Sequence, residues 1–108
     1  MDTLLVITNL PDRASAERLA AQLVEERAAA CVNIMAECRS MYRWQGRVES
    51  AAEVPLFIKT TGAAYGRLEA AIRRHHPYEL PEIVAVRIER GLPGYLQWVE
   101  SETAGPGA

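Results

Sequence analysis

The amino-acid sequence predicts an α+β fold of the split βαβ type, in which two helices cover one face of a β-sheet. Three observations lead to this prediction. Short apolar, β-branched runs alternate with segments of helical periodicity. These segments follow the order β-α-β-β-α-β, with one further helix at the end. About half of the 108 residues are apolar, which is enough to build one continuous core.

The first strand and the first helix are predicted from the N-terminal third. Leu4 to Thr8 is a short apolar run, and the following 9–12 turn closes it, as expected of a buried strand. The segment 15–30 then has the periodicity of a helix that Asp12 or Ser15 could cap. Its apolar stripe consists of Ala16, Leu19, Ala20 and Leu23.

The middle of the sequence predicts two further strands around a hairpin. The segment 31–44 favours one long second strand, and Gln45-Gly46 is a plausible turn after it. Arg47 to Glu49 would begin the return strand. Val54 to Thr60 is typical of a core strand, with a proline near its beginning as sheets require.

The remaining elements complete the split βαβ arrangement, which is also called ferredoxin-like. Segment 62–76 is a predicted helix that ends because the residue before Pro77 is forced out of helical geometry. Segment 82–89 is a predicted strand, and 93–102 a final helix. Right-handed crossovers place the first and third core strands together in the centre of the sheet.

We expect residues 1–102 to form a single domain and residues 103–108 to form a flexible tail, because the tail has nothing to bury. The two crossover helices cover one face of the sheet, and only the last helix is left for the other. A bare apolar face costs about 25 cal/mol for each Å² left in water. The sequence therefore indicates burial of that face against other subunits.

Composition excludes several classes of partner. Twelve basic and fourteen acidic residues give a net charge of −2, so we expect no nucleic-acid partner. No stretch has the length or character of a membrane span or a signal peptide, so we expect no membrane partner and a cytoplasmic location. The two cysteines, Cys31 and Cys38, are expected to be reduced thiols.

The expected function is not enzymatic. The sequence has no aromatic RNA-binding strand motif, no CxxC, no cluster of four cysteines and no glycine-rich phosphate loop. A nucleophilic pair of Cys31 with His76 is the remaining catalytic alternative, which spacing alone cannot test.

The stretch HHPYELPEI, residues 75–83, carries the most chemistry. His75 and His76 could bind Zn²⁺ or Cu²⁺ together with Glu79 or Glu82, since imidazole and carboxylate suit these ions. The alternative is structural, because a histidine at the end of a helix offsets the helix dipole. The segment from Tyr78 to Glu82 follows one proline and contains a second, and such a stiff loop is suited to hold side chains for binding.

Two features outside that stretch also point to binding surfaces. Lys59 ends an apolar strand, where it either extends along the edge or offers a positive charge to an anionic ligand. Tyr42 and Trp44 lie near the tip of the predicted hairpin. An exposed tryptophan there is costly unless a partner covers it, which favours a subunit interface.

Five stretches in order, AACVN, YRWQGRVE, EVPLFIKTT, HHPYELPEI and GYLQW, resemble the CutA family of divalent-cation tolerance proteins. The resemblance runs from about Leu4 to Trp98. It implies a tight homotrimer whose sheets pack inside the assembly and whose hairpins reach across to neighbours. It also implies a likeness to PII-type signalling proteins, which bind small ligands between subunits, and it implies copper tolerance.

The resemblance implies two sets of site residues. His75 and His76 match the family's histidine pair, implicated in binding a divalent metal such as Cu²⁺, whereas Thr8 stands where a first-strand cysteine ligand occurs. A cleft for a small anionic ligand would be lined by Cys31, Trp44, Glu49, Lys59, His76, Tyr78 and Glu82.

Overall fold

The computed structural model describes residues 2–105, which form five strands and three helices. The elements in chain order are β1 (Thr3–Leu10), α1 (Arg13–Glu25), β2 (Cys31–Ile34), β3 (Cys38–Trp44), β4 (Arg47–Thr61), α2 (Tyr65–His75), β5 (Val84–Arg87) and α3 (Pro93–Glu102). This order confirms the predicted α+β arrangement with its additional C-terminal helix. None of the helices in the described residues is long and apolar enough to cross a membrane.

All strand pairs in the sheet are antiparallel, and the order of the main sheet is β2-β4-β1-β5. The first strand and the third core strand therefore lie in the centre, as predicted. They pair along their whole shared length, from Thr3 opposite Thr61 to Leu10 opposite Val54. The other half of β4 pairs with β3 and forms a hairpin that projects from the sheet.

The hairpin differs from the sequence prediction in two ways. The segment 31–44 is not one strand, because residues 35–37 separate β2 from β3. The return strand is longer than expected, since β4 runs for 15 residues without a break. The stretch around Ala51 and Ala52 has low strand propensity, but pairing with Ser40 and Arg39 holds it extended.

The helix α1 begins as predicted and ends earlier. Asp12 is its N-cap, and the Asp12 side chain accepts a hydrogen bond from the Ser15 amide at 2.7 Å. Arg27 adopts a positive φ of 61°, which stops the helix after Glu25 and turns the chain. The alanines that follow, at 28–30, are buried in the turn.

The core lies between the sheet and the helices α1 and α2. Its largest fully buried side chains come from both layers: Val6, Leu10, Leu56 and Ile58 from the sheet, and Leu23, Leu68 and Ile72 from the helices. The alternating pattern of strands sends the odd-numbered residues of β1 and β4 to the other face. That face carries Ile7, Phe57 and Lys59, none of which is fully buried.

Helix α3 covers only one end of this second face. Val99 is fully buried there, and the Arg67 guanidinium donates to the Thr103 carbonyl at 2.8 Å. Thr103 is predicted from the sequence to lie in a flexible tail, yet in the structure it is buried and its hydroxyl donates to the Val99 carbonyl at 2.8 Å. The packed part of the chain thus reaches Thr103. Residues 106–108 lie outside the described residues, and the flexibility of the tail stays a prediction.

Candidate ligand cavity

A large cavity lies between the projecting hairpin and the segment that follows α2. Its volume is about 900 Å³, which falls in the range of small-molecule sites. The hairpin forms one wall and residues 77–82 form the other. Its lining includes the side chains of Asn9, Tyr42, Arg43, Trp44, Glu53, Tyr78, Glu79 and Glu82.

The register of the hairpin determines which side chains form its wall. Residues directly opposite each other in an antiparallel pair share a face, and so do alternate residues of one strand. Tyr42 lies opposite Glu49, and Cys38 lies opposite Glu53. The aromatic rings of β3 and the Glu53 carboxylate therefore point from the same side of the hairpin. Glu49 shares this side but is exposed and is not part of the cavity lining.

His76 holds the second wall in place. Its Nδ1 accepts a hydrogen bond from the Tyr78 amide at 3.1 Å, and its Nε2 lies 2.7 Å from the Asn9 carbonyl oxygen. The first contact leaves the proton on Nε2, which donates to Asn9, so the neutral ring satisfies both partners. Burial lowers the pKa of His76, while the Asn9 carbonyl and the charge of Glu53 partly oppose that shift.

Tyr78 connects the two walls of the cavity. Its hydroxyl donates to Glu53 Oε2 at 3.0 Å, and its ring packs against His76 with a centroid distance of 4.8 Å. Burial and the neighbouring carboxylate raise the pKa of Tyr78 to about 12. The phenol therefore stays protonated at neutral pH and remains a hydrogen-bond donor to Glu53.

The two predicted histidine ligands have different partners. His75 Nε2 lies 3.5 Å from Glu26 Oε2, near the end of α1, whereas both nitrogens of His76 are hydrogen-bonded to backbone groups. Within residues 2–105, no group of three or more histidine, cysteine or acidic side chains is arranged to hold a metal ion. In this conformation the two imidazoles do not fit a shared metal site, and metal binding by the pair stays a prediction.

The predicted cleft residues separate into two groups within one chain. Trp44, Tyr78 and Glu82 line the cavity. Lys59 lies six residues beyond Glu53 on β4, about 20 Å away along the strand. There it contacts the Asn33 side chain and pairs across the sheet with Cys31. A single chain therefore does not bring Lys59 to Tyr78.

Cys31 and His76 are likewise not brought together. Cys31 pairs with Lys59, whereas the Asn9 that His76 contacts pairs with Pro55. The two positions differ by four residues along β4, which is roughly 13 Å. Cys31 lies instead near Tyr95 of α3, where burial and the neighbouring thiol raise the pKa of the Tyr95 phenol.

Several residues of the cavity and its surroundings are absent from the sequence prediction, among them Glu53, Asn9 and the Glu26 that contacts His75. Glu53 is only 8% exposed, and strand alternation places it on the same side as Pro55 and Lys59. A predicted strand that began before Glu53 would have assigned this side to Glu53 from the sequence alone. The roles of Asn9 and Glu26 depend on contacts distant in sequence, for which no local pattern exists.

Comparison with known proteins gives consistent results. The family profile described as CutA1 divalent ion tolerance protein matches residues 4–102. A curated relative, the divalent-cation tolerance protein CutA of Thermus thermophilus, is 44% identical over 99 residues, which are 92% of this chain and 96% of the relative. Protein CutA of Mus musculus is 40% identical over 86% of this chain, which spans only 52% of the mouse protein.

Solved structures show the same fold. The divalent cation tolerance protein (Cut A1) of Thermus thermophilus superposes with a TM-score of 0.92 at 42% identity, covering 94% of this chain and 99% of the other. CutA of Xylella fastidiosa gives 0.93 at 40% identity, with coverages of 96% and 100%. A protein from Archaeoglobus fulgidus, described as periplasmic, gives 0.91 at 32% identity, with coverages of 94% and 99%.

Proposed function

Because the chain belongs to the CutA1 divalent ion tolerance family, we propose that it acts in the response to divalent metal ions, without catalysing a reaction. The observation that carries this proposal is the family match over residues 4–102, which spans nearly every described element. The bacterial relatives from Thermus thermophilus and Yersinia pestis are named divalent-cation tolerance proteins and not enzymes. The separation of Cys31 from His76 supports a non-catalytic role, because it removes the one catalytic pair that the sequence suggested.

We further propose that a divalent metal such as Cu²⁺ binds at the end of α2 through His75. The partly exposed His75 imidazole lies 3.5 Å from the Glu26 carboxylate, and these two ligand types suit Cu²⁺ and Zn²⁺. His76 would join the site only by giving up its hydrogen bonds to Asn9 and Tyr78. We therefore expect His75 to contribute more to metal affinity than His76.

Calorimetric titration of Cu²⁺ tests this assignment. We expect His75→Gln to lower the affinity, and the double variant His75→Ala/His76→Ala to lower it at least as much. Arg74→Gln is the matched control, because Arg74 also contacts Glu26, at 3.0 Å, but offers no metal ligand. Equal stoichiometry and affinity in the double variant and the unmodified protein would end the assignment.

We also propose that the protein is a homotrimer. Large apolar side chains are exposed on the hairpin and on β5, among them Met41, Trp44, Val48, Val84 and Val86. In the described residues, β3 pairs only with β4 and β5 pairs only with β1, so each has one free edge. Sedimentation equilibrium should give three times the chain mass of 12.0 kDa. A measured mass equal to that of a single chain would contradict the proposal.

A second candidate function is a PII-like signalling trimer that binds a small anionic ligand between subunits. The position of Lys59 favours it, because this cation lies on the sheet face that the helices α1 and α2 leave open. A thermal-shift screen of nucleotides and organic acids tests this candidate, with Lys59→Met as the variant that should lose the response. The absence of any ligand-dependent rise in melting temperature would count against it.

We propose that the protein resides in the cytoplasm. Cys31 and Cys38 are both free thiols, as a reducing compartment would maintain them. Cell fractionation followed by immunoblotting tests this proposal, and recovery of the protein in the periplasmic fraction would overturn it.

A further inference from the structure

We propose that Gln22 of α1 is a third protein ligand of the metal site at His75 and Glu26, and that these three side chains form a complete site for Cu²⁺ or Zn²⁺ within one chain. The inference rests on the proposed function, because it names the ligands of the metal that His75 is proposed to bind. It is based on the convergence of three side chains on the helix layer, on the distances between them and on the space beside them.

The three side chains come from two neighbouring helices. Gln22 lies on α1 and Glu26 is the C-cap of that helix, so a spacing of four residues places both side chains on one face. His75 is the last residue of α2, and its Nε2 lies 3.5 Å from Glu26 Oε2. The Gln22 amide donates to the same oxygen at 2.6 Å. All three side chains therefore meet at Glu26 Oε2.

The distance between His75 and Glu26 suits two ligands of one ion. Bonds from Zn²⁺ to imidazole nitrogen and carboxylate oxygen are about 2.0–2.2 Å long, so two such ligands in a tetrahedral arrangement lie roughly 3.4 Å apart. The observed 3.5 Å is close to that separation. Arg74 contacts the other carboxylate oxygen, Oε1, at 3.0 Å, which leaves Oε2 directed at His75. The two groups can therefore share one ion with little movement of either helix.

Gln22 becomes a ligand through a half-turn of its terminal amide. Its NH₂ group faces Glu26 in the structure, but the same amide carries a carbonyl oxygen with two lone pairs. Rotation about the last side-chain bond exchanges these two groups, and the exposed position of Gln22 leaves room for that rotation. A cation beside Glu26 repels the NH₂ group and attracts the oxygen. The amide oxygen then lies next to the carboxylate as a third ligand.

The chemistry of the three groups and the space beside them favour particular ions. Within residues 2–105 no three histidine, cysteine or acidic side chains are arranged to hold a metal, and Gln22 adds a ligand of another type. All three donor atoms are nitrogen or oxygen, which suit Cu²⁺ and Zn²⁺, whereas Cu⁺ prefers sulfur. A pocket of about 240 Å³ has both Gln22 and His75 in its lining. It leaves room for a water molecule as the fourth ligand.

The site stays accessible in the proposed trimer. Helices α1 and α2 pack on one face of the sheet, whereas the apolar residues proposed to contact neighbouring subunits lie on the hairpin and on β5. Every ligand comes from the helix layer of a single chain. We therefore expect one metal ion for each chain at this site, whatever the state of assembly.

Calorimetric titration of Cu²⁺ and Zn²⁺ into two Gln22 variants tests the ligand. Gln22→Leu removes the amide oxygen and should weaken binding about tenfold, which corresponds to about 1.4 kcal/mol. Gln22→Glu supplies a carboxylate oxygen in its place and should bind at least as tightly as the unmodified protein. Gln97→Leu is the matched control, because Gln97 is also exposed but lies on α3. Equal affinities of Gln22→Leu and Gln97→Leu, or weaker binding by Gln22→Glu than by Gln22→Leu, would overturn the proposal.

Two comparisons keep the outcomes separate. If His75→Gln leaves metal affinity unchanged, the proposed metal site itself is wrong. If His75→Gln lowers the affinity and Gln22→Leu does not, the metal site stands and only the role of Gln22 is overturned. Electron paramagnetic resonance of bound Cu²⁺ adds a readout that a purely structural role would not change. We expect coupling to the nitrogen of one imidazole in every Gln22 variant, and a copper hyperfine splitting that differs between Gln22→Glu and the unmodified protein. An identical spectrum in both Gln22 variants and the unmodified protein would contradict the proposal.

Discussion

His76 has both ring nitrogens hydrogen-bonded to the backbone, and this arrangement selects one protonation state. The neutral ring accepts from the Tyr78 amide and donates to the Asn9 carbonyl. A second proton on the ring would face the Tyr78 N–H and break the first of these bonds. At the scale of single residues, the two histidines therefore differ: His75 keeps a partly exposed ring beside Glu26, whereas His76 joins the end of α2 to the end of β1.

The protonation state of His76 makes stability depend on pH. The ordinary pKa of 6.5 applies in the unfolded chain, and burial lowers it in the fold. Stability from this group is therefore complete above pH 6.5 and decreases as pH falls, because the unfolded chain takes up the proton first. Urea denaturation at pH 7 and pH 5 should show this decrease, and His76→Gln should reduce it. His75→Gln is the control, and an equal pH dependence in all three proteins would contradict the prediction.

Thr8 and Thr60 provide a matched pair of buried hydroxyls. Both are fully buried, but Thr60 donates to the Ala28 carbonyl at 2.8 Å, whereas Thr8 Oγ1 has no partner within the described residues. We expect Thr8→Val to raise the free energy of unfolding by about 1 kcal/mol, because it removes an unsatisfied buried hydroxyl. Thr60→Val should lower it by about 1 kcal/mol. Chemical denaturation measures both, and changes of the same sign would contradict the argument.

The site was only partly predictable from single residues. Tyr78 and Glu82 stood out because of the two prolines in their loop, and Trp44 because a large apolar ring at a hairpin tip is unusual. Glu53 did not stand out, because an acidic residue before an apolar strand is ordinary in any sequence. Its importance depends on Tyr78, whose hydroxyl reaches it from 25 positions away along the chain.

At the scale of elements, the hairpin is the part in which pairing overrides local preference. The apolar strand β1, the second half of β4 and all three helices were predictable from periodicity, whereas β2 was predicted only as part of one longer strand. The stretch 47–53 of β4 was not fully predictable, because its extended form depends on pairing with β3. The length of β3 could not be predicted for the same reason. Residues 35–37 interrupt the strand at the point where its pairing register with β4 changes.

The turn of the hairpin offers a direct test of local strain. Gln45 has a φ of 51° and Gly46 a φ of 81°, and two positive values are the mark of a two-residue type I′ turn. Asparagine tolerates this region better than glutamine, so Gln45→Asn should raise the free energy of unfolding by about 0.5 kcal/mol. Gly46→Ala should lower it. Thermal denaturation measures both changes, and a less stable Gln45→Asn variant would show that the turn has another geometry.

At the scale of the whole molecule, the apolar surface is larger than one chain can cover. The described residues extend 45 Å in the longest direction and 23 Å in the shortest, and six of the seven residues of the hairpin strand β3 are exposed. One face of the sheet is predicted from the sequence to be bare, and in the structure α3 covers one end of it. The exposed apolar residues of β5 and the hairpin remain for neighbouring subunits in the proposed trimer.

Trp44 should be an anchor of that assembly. It is 50% exposed in the single chain, and buried tryptophans contribute strongly to subunit interfaces. We expect Trp44→Ala to shift the sedimentation profile toward smaller species, especially in mild denaturant. Val24→Ala is the control, since Val24 is similarly exposed at 45% but lies on α1, away from the hairpin. An unchanged profile for Trp44→Ala would show that the tip does not hold subunits together.

The register of the sheet has a consequence for the order in which the chain folds. The hairpin closes through a two-residue turn, and such units form in about 1–10 μs. The central pair needs Leu10 to meet Val54 before the rest of the two strands can pair, so the 44-residue span between these two positions must form a closed loop before its contacts offset the lost entropy. The hairpin should therefore form first, with Met41, Trp44 and its free edge in water. During synthesis, the segment most prone to aggregation would emerge and fold before the α2–β5 half that forms the opposite wall of the cavity exists.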